Sequence, residues 1–145
     1  MSSKYYKVLR KSPADGSLYS VAAGPYKLKY RQGEWTHGTC GPILLFETLR
    51  TALFFTDKAG RGGSRLEIWL CEALLPVVAV VSIIPSTRLW AFSQDDLRTW
   101  WAQEHHKMTP DAVNEPWTYA PSGTVGSWGI RLLEPVDNTK EEGRS

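Results

Sequence analysis

The sequence predicts an α+β fold, a curved and mostly antiparallel sheet with two helices packed against it. Three observations carry this: short segments that alternate polar and apolar residues, two segments with apolar residues at helical spacing, and an order in which strands outnumber and precede helices. At 145 residues the chain has the length of one domain. Residues 1–136 are expected to form it, and 137–145, "DNTKEEGRS", to be a flexible charged tail with nothing to bury.

The first strand is expected over Tyr5–Lys11, followed by a turn at Pro13–Ser17 with Asp-Gly at its centre and a returning partner in "LYSVAA", residues 18–23. Gly24-Pro25 breaks that strand. "YKLKYRQGEW", residues 26–35, then alternates with Tyr26, Leu28 and Tyr30 on one face and Lys27, Lys29 and Arg31 on the other, the pattern of a half-buried strand. Turn formers fill Thr36–Pro42, and "ILLF" after them reads as a short buried strand. Glu47–Phe55 places Leu49, Ala52 and Leu53 at helical spacing behind Thr48, a good N-cap, and "DKAGRGGS" ends that helix as a mobile linker.

"RLEIWLCEALL", residues 65–75, is a strand, and "VVAVVSII" beyond Pro76 has the β-branched content of a strand buried on both faces. These two are expected at the centre of the sheet. "FSQDDLRTWWAQEHHK" opens with Ser93 three residues before Asp96, a capping-box spacing, and its apolar stripe of Leu97, Trp100 and Trp101 makes a second helix. Met108–Gly123 is a long ordered loop held by Trp117 and Tyr119, and "TVGSWGIRLLEP" a last strand.

Composition narrows the function classes. Seventeen Lys and Arg against fifteen Asp and Glu give a net charge of +2, spread along the chain, which disfavours nucleic acid or an anionic membrane as partner. The longest apolar stretch, Ala73–Ile84, has 12 residues and is broken by Pro76, whereas a spanning helix needs ~20. Two cysteines and an N-terminus without an apolar signal core point to a reducing, cytoplasmic setting. Seven Trp, six Tyr and four Phe can fill a core or wall an apolar ligand site.

Strand periodicity puts Glu72 on the face of Leu66, Ile68, Leu70 and Leu74, where a carboxyl among aliphatics could serve as acid or base. The plain alternative turns it to solvent or to an Arg. Glu104, His105 and His106 close the Trp-bearing helix, and positions 104 and 105 continue its stripe; His105 is the candidate proton carrier, though a helix C-terminus favours His for its dipole alone. A zinc site from His37, Cys40, Cys71 and His105 lacks a second close ligand pair, so no metal is expected. "GRGGS" at Gly60–Ser64 follows a helix and precedes a strand, the reverse of a phosphate loop. Among the tryptophans at 69, 90, 100, 101, 117 and 128, the adjacent Trp100 and Trp101 point about 100° apart on a helix, so one can face a cavity. Trp69, Trp100, Trp101, Trp117 and Tyr119 are the expected ligand-binding residues.

"YYKVLR", "LKYRQGEW", "ILLFETLRTALFF" and "EIWLCEAL" together resemble a family of small proteins that share a strand–helix–strand block. In element order the chain is loosely similar to ADP-ribosyltransferase-like folds, and that resemblance implies nicotinamide dinucleotide held by Arg10, Ser20 and Glu72. The Ser-Thr-Ser type motif of those proteins has no counterpart after Leu18. Taken whole, the chain also resembles small, motif-poor proteins encoded with fungal terpenoid and polyketide pathways, among them cofactor-free cyclases and Diels–Alderases. The leading expectation is therefore a cofactor-independent enzyme that folds an apolar intermediate in a Trp-lined chamber and promotes cyclisation or isomerisation, with Glu72 or His105 offering a hydrogen bond. The alternatives are an NAD-dependent transferase and a protein-interaction domain with exposed aromatics.

Overall fold

The computed structural model describes residues 3–21, 28–59, 65–84, 91–110 and 117–136. Among the described residues the fold is α+β: a mostly antiparallel sheet, a small separate two-stranded one, and two helices. Its strands are β1 (Ser3–Lys11), β2 (Leu18–Ser20), β3 (Lys29–Tyr30), β4 (Trp35–His37), β5 (Ile43–Phe46), β6 (Arg65–Ala73), β7 (Val78–Ala79), β8 (Ser82–Ile83), β9 (Thr118–Tyr119), β10 (Thr124–Ser127) and β11 (Gly129–Pro135). The helices are α1 (Leu49–Ala59) and α2 (Gln94–Ala102), the latter followed by a 3₁₀ turn at His105–Lys107. The supposed linker at Gly60–Ser64 and the tail at 137–145 lie outside the described residues, as does Trp90.

The ladder order is β4-β11-β6-β1-β5-β10-β7. β10 and β11 are separated in the chain only by Trp128, yet they sit four places apart in that order. The sheet must therefore curl until its two halves meet, and Ser127 fastens the meeting point: its hydroxyl lies 2.8 Å from the carbonyls of both Leu74 and Gly129, which share its one hydrogen. The curl encloses the main core, where Leu9, Leu45, Cys71, Val125, Ile130 and Leu132 meet from five strands. Burying each such aliphatic side chain is worth roughly 1.5–3 kcal/mol. On the opposite face, Val8, Phe46 and Ile68 pack against Ala52 of α1 in a second cluster.

Local chemistry explains the elements. The β1–β2 turn closes with Ser12 N–H on Ser17 O at 2.8 Å, and Gly16 takes a φ of +74° that suits glycine. Thr48 caps α1 by accepting from Thr51 N–H at 3.2 Å. At α2 both halves of the Ser93/Asp96 capping box form, each at 3.0 Å.

Several sequence expectations are corrected. The segment 26–35 is not one strand: within its described residues β3 is short, the chain turns at Gly33 with φ +81°, and β4 joins the far edge of the sheet against β11. The run after Pro76 is not central. It divides into β7, an edge strand on β10, and β8, which leaves the sheet to pair with β9. Its hydrogen bonds go instead to three different segments, with Val80 N–H on Thr124 O and Val81 N–H on His106 O, which is why β-branched content alone misplaced it. The last strand breaks at Trp128, where the chain crosses from one end of the ladder to the other. Helix α1 runs to Ala59 rather than stopping at Phe55, β6 ends at Ala73, and α2 stops at Ala102 because Glu104 adopts a left-handed φ of 60°.

Candidate functional site

The site begins with a fork. One edge of β1 pairs with β6 from Ser3 to Lys11 without interruption. On the other edge Leu9–Lys11 pair with β2, while Tyr6 pairs with Phe46 of β5. Lys7 and Val8 fall between these two pairings, with no strand partner on that side among the described residues. A cavity of about 410 Å³ fills the gap. Its walls draw on both clusters, Tyr30 and Ile43 from the curled core and Val8 and Phe46 from the α1 face, so it passes through the fork. Leu97, Trp100 and Trp101 of α2 cover it. Its size falls within the range of small-molecule sites, about 300–1,000 Å³, and its lining is mostly apolar, as such sites are.

Lys7 carries the only charged side chain among the described lining residues. Strand alternation puts it on the face of Tyr5 and Leu9, toward the core. Its Nζ donates to the carbonyl of Leu44 at 2.9 Å and lies 6.0 Å from the centre of the Tyr30 ring. Burial pushes the ammonium down to about 8, against a weaker opposing pull from Cys71. Burial pushes the Tyr30 phenol up to about 12, with Ser20 opposing, and the Cys71 thiol up to about 12, with Lys7 opposing. Tyr30 and Ser20 line the same cavity, and the Ser20 hydroxyl accepts from Leu28 N–H at 3.0 Å.

The expected ligand-binding residues divide. Trp100 and Trp101 line the cavity, perpendicular to one another with ring centres 5.0 Å apart. Trp117 does not line it but packs edge-on against Trp100 at 6.0 Å, supporting the cover from behind. Trp69 belongs to the curled core, with its Nε1 donating to Glu67 at 3.2 Å. Tyr119 is 60% exposed on β9 and lines no part of the cavity.

Neither expected catalytic residue is on the cavity wall. Glu72 faces its cross-strand neighbour Arg131, which donates to its carboxylate and in turn lies 5.3 Å over the Trp35 ring. The plain alternative for Glu72 is the one the structure shows. His105 does not continue the α2 stripe, since the left-handed Glu104 turns it away; it stacks on Trp117 at 4.9 Å and meets Gln103 at 2.9 Å. His106, 6% exposed, is the more buried of the pair and lies 4.7 Å from the Trp101 ring. Of the three positions in the transferase resemblance, Ser20 lines the cavity, Arg10 donates to the carbonyl of Val21, and Glu72 is held by Arg131. The geometry does not gather them into one site.

Among the described residues no three His, Cys, Asp or Glu side chains come together as metal ligands, and Cys40 and Cys71 are free thiols. No described helix is long and apolar enough to cross a membrane. Sequence reasoning missed Lys7, Tyr30 and Gly41. A signal for the first was present: "YYKVLRK" sets a lysine between Tyr5 and Leu9 on the apolar face of a strand. Comparison with protein-family models, with curated proteins and with solved structures gives no match, so the reading of this site rests on its geometry.

Proposed function

We propose that the chain takes an apolar small molecule with one oxygen function into the cavity at the fork of β1 and promotes its intramolecular rearrangement, a cyclisation or isomerisation, without a cofactor. The observation that supports this best is the cavity itself, an apolar chamber of about 410 Å³ under Trp100 and Trp101 with one amine, that of Lys7, among its described lining residues. Holding a flexible chain in a reactive shape can remove about 7–11 kcal/mol of barrier in favourable cases, so such chemistry asks little of acid or base groups. The hydrogen bond that the sequence assigned to Glu72 or His105 passes to Lys7 in this reading, because of these three Lys7 alone lines the cavity. The two free thiols fit a reducing compartment such as the cytoplasm.

A tryptophan-fluorescence titration with farnesol, a flexible apolar alcohol, tests the binding step, with NAD run in parallel. Saturable quenching by farnesol, weakened in Trp101→Leu, is the expected result. Chromatography of farnesal incubated with the protein tests the reaction, with isomerised or cyclised product expected above the rate in buffer. A response to NAD with none to farnesol overturns the proposal.

A further inference from the structure

Resting on that reading of the cavity, we infer that Lys7 is a covalent anchor: its Nζ condenses with an aldehyde or ketone at the head of the apolar ligand to form an imine.

Position comes first. Lys7 stands between the pairings of β1 with β2 and with β5, where one edge of β1 has no strand partner among the described residues, and its amine is the one charged group on the described wall. Its partners come second. Lys11 is matched by Glu67 and Lys107 by Glu104, whereas among the described residues Lys7 has no carboxylate partner and spends one N–H on the Leu44 carbonyl. A ligand therefore displaces no counter-ion to reach it. Protonation comes third. An amine held at about 8 is half free base at pH 8, on the order of a hundredfold more than an ordinary lysine. A ligand carboxylate would need the charged amine instead, and burial disfavours that form.

The wall completes the chemistry. The Nζ lone pair attacks the carbonyl carbon, and the carbonyl oxygen takes a proton to give a carbinolamine. The hydroxyl then leaves as water, with both amine hydrogens ending on it as the C=N bond forms. No electrons are exchanged with any other reagent. Departure of the hydroxyl calls for a proton, which is returned when the nitrogen gives up its own; the Tyr30 phenol, raised by burial to about 12, is a weak acid that can lend a hydrogen bond to the departing oxygen. Ser20, which lines the same cavity, can relay the proton. Apolar surroundings favour loss of water. Once protonated, an imine of an unsaturated aldehyde also draws electrons from the attached chain, which eases isomerisation of the adjacent double bond and so joins the anchor to the proposed rearrangement.

The test is reductive trapping at pH 8. Wild-type protein is incubated with farnesal and sodium cyanoborohydride, then mapped by peptide mass spectrometry, with Lys7→Arg and Lys7→Met as controls and farnesol titrated in parallel by fluorescence. One adduct at Lys7, formed about tenfold or more faster than at any other lysine, is expected from its larger free-base fraction. Both variants should lose it, and farnesol should still bind them, more weakly in Lys7→Met by the one hydrogen bond that it removes. Farnesol binding without an adduct at Lys7, or adducts scattered over the lysines in both wild type and variants, overturns the anchor and leaves the cavity reading standing. Dodecanoate binding that depends on Lys7, with no trapped farnesal, likewise overturns it in favour of an anion site. If neither farnesol nor farnesal binds, the cavity reading falls and the anchor with it.

Discussion

A Cβ on Gly41 would lie 2.2 Å from Cδ1 and 2.3 Å from Nε1 of Trp101, so the indole occupies the space that a side chain at position 41 would need. The φ of Gly41 is not in the left-handed region, and the constraint is therefore room rather than backbone freedom. Trp101 cannot yield cheaply, because Trp100 meets it at 5.0 Å and His106 at 4.7 Å. Gly41→Ala is expected to cost about 1–3 kcal/mol, the usual penalty for overpacking, and to weaken farnesol binding because the cavity cover shifts. Urea denaturation and the fluorescence titration check the two effects separately. Unchanged binding in a destabilised variant would remove Trp101 from the site.

The Glu72–Arg131 pair separates the cavity from transferase chemistry. Removing the carboxylate charge in Glu72→Gln leaves Arg131 stacked on Trp35 and partly open to water, with side-chain exposures of 18% for the acid and 38% for the arginine. A loss of about 1 kcal/mol or less is expected for a pair so near the surface. Farnesol affinity and product formation should match wild type. A variant that folds normally but loses either would return Glu72 to the site.

What was legible in the sequence follows from range. Asp15-Gly16, Thr48 and the Ser93/Asp96 box act within a few residues, and their turn, cap and capping box are present in the structure as read. The path of 77–84 was not legible, since its partners, Thr124, His106 and Tyr119, are distant in sequence and nothing in a β-branched run names them. The cavity was half legible. Helical periodicity singled out Trp100 and Trp101, but the amine beneath them depends on β1 dividing its pairing between β2 and β5, a property of register rather than composition. Glu72 drew notice because a carboxylate on an apolar face is rare, and the same argument applied to Lys7 would have found the residue that faces the cavity.

The two thiols should react differently. Cys71 is fully buried, its Sγ directed at the Tyr5 carbonyl, and burial pushes its thiol up to about 12, so it has almost no thiolate at neutral pH. Cys40 lines the cavity. Ellman's reagent at pH 8 should titrate Cys40 alone in the native protein and both cysteines in guanidinium chloride, and Cys40→Ser should abolish the native reaction. Bound farnesol should slow the modification of Cys40. Equal reactivity of the two thiols would mean that the curled core opens to solvent.

His106 makes the cover sensitive to acid. Burial lowers its affinity for a proton below the usual value of 6.5, with Lys107 and His105 acting in the same direction and Glu104 opposing. The unfolded chain therefore binds a proton at His106 at a higher pH than the native chain does. The sign follows: stability is full above pH 6.5 and declines as pH falls below it, because protons then favour the unfolded state. Since His106 packs on Trp101 and its carbonyl accepts from Val81 N–H, that loss should register in the cavity cover before the rest of the sheet. Thermal unfolding followed by tryptophan fluorescence from pH 8 to pH 5 should show a falling midpoint, together with weaker farnesol binding. His106→Phe, which fills the same space without titrating, should flatten both profiles across that range. An unchanged pH slope in the variant would assign the acid sensitivity to other groups and leave His106 as packing alone.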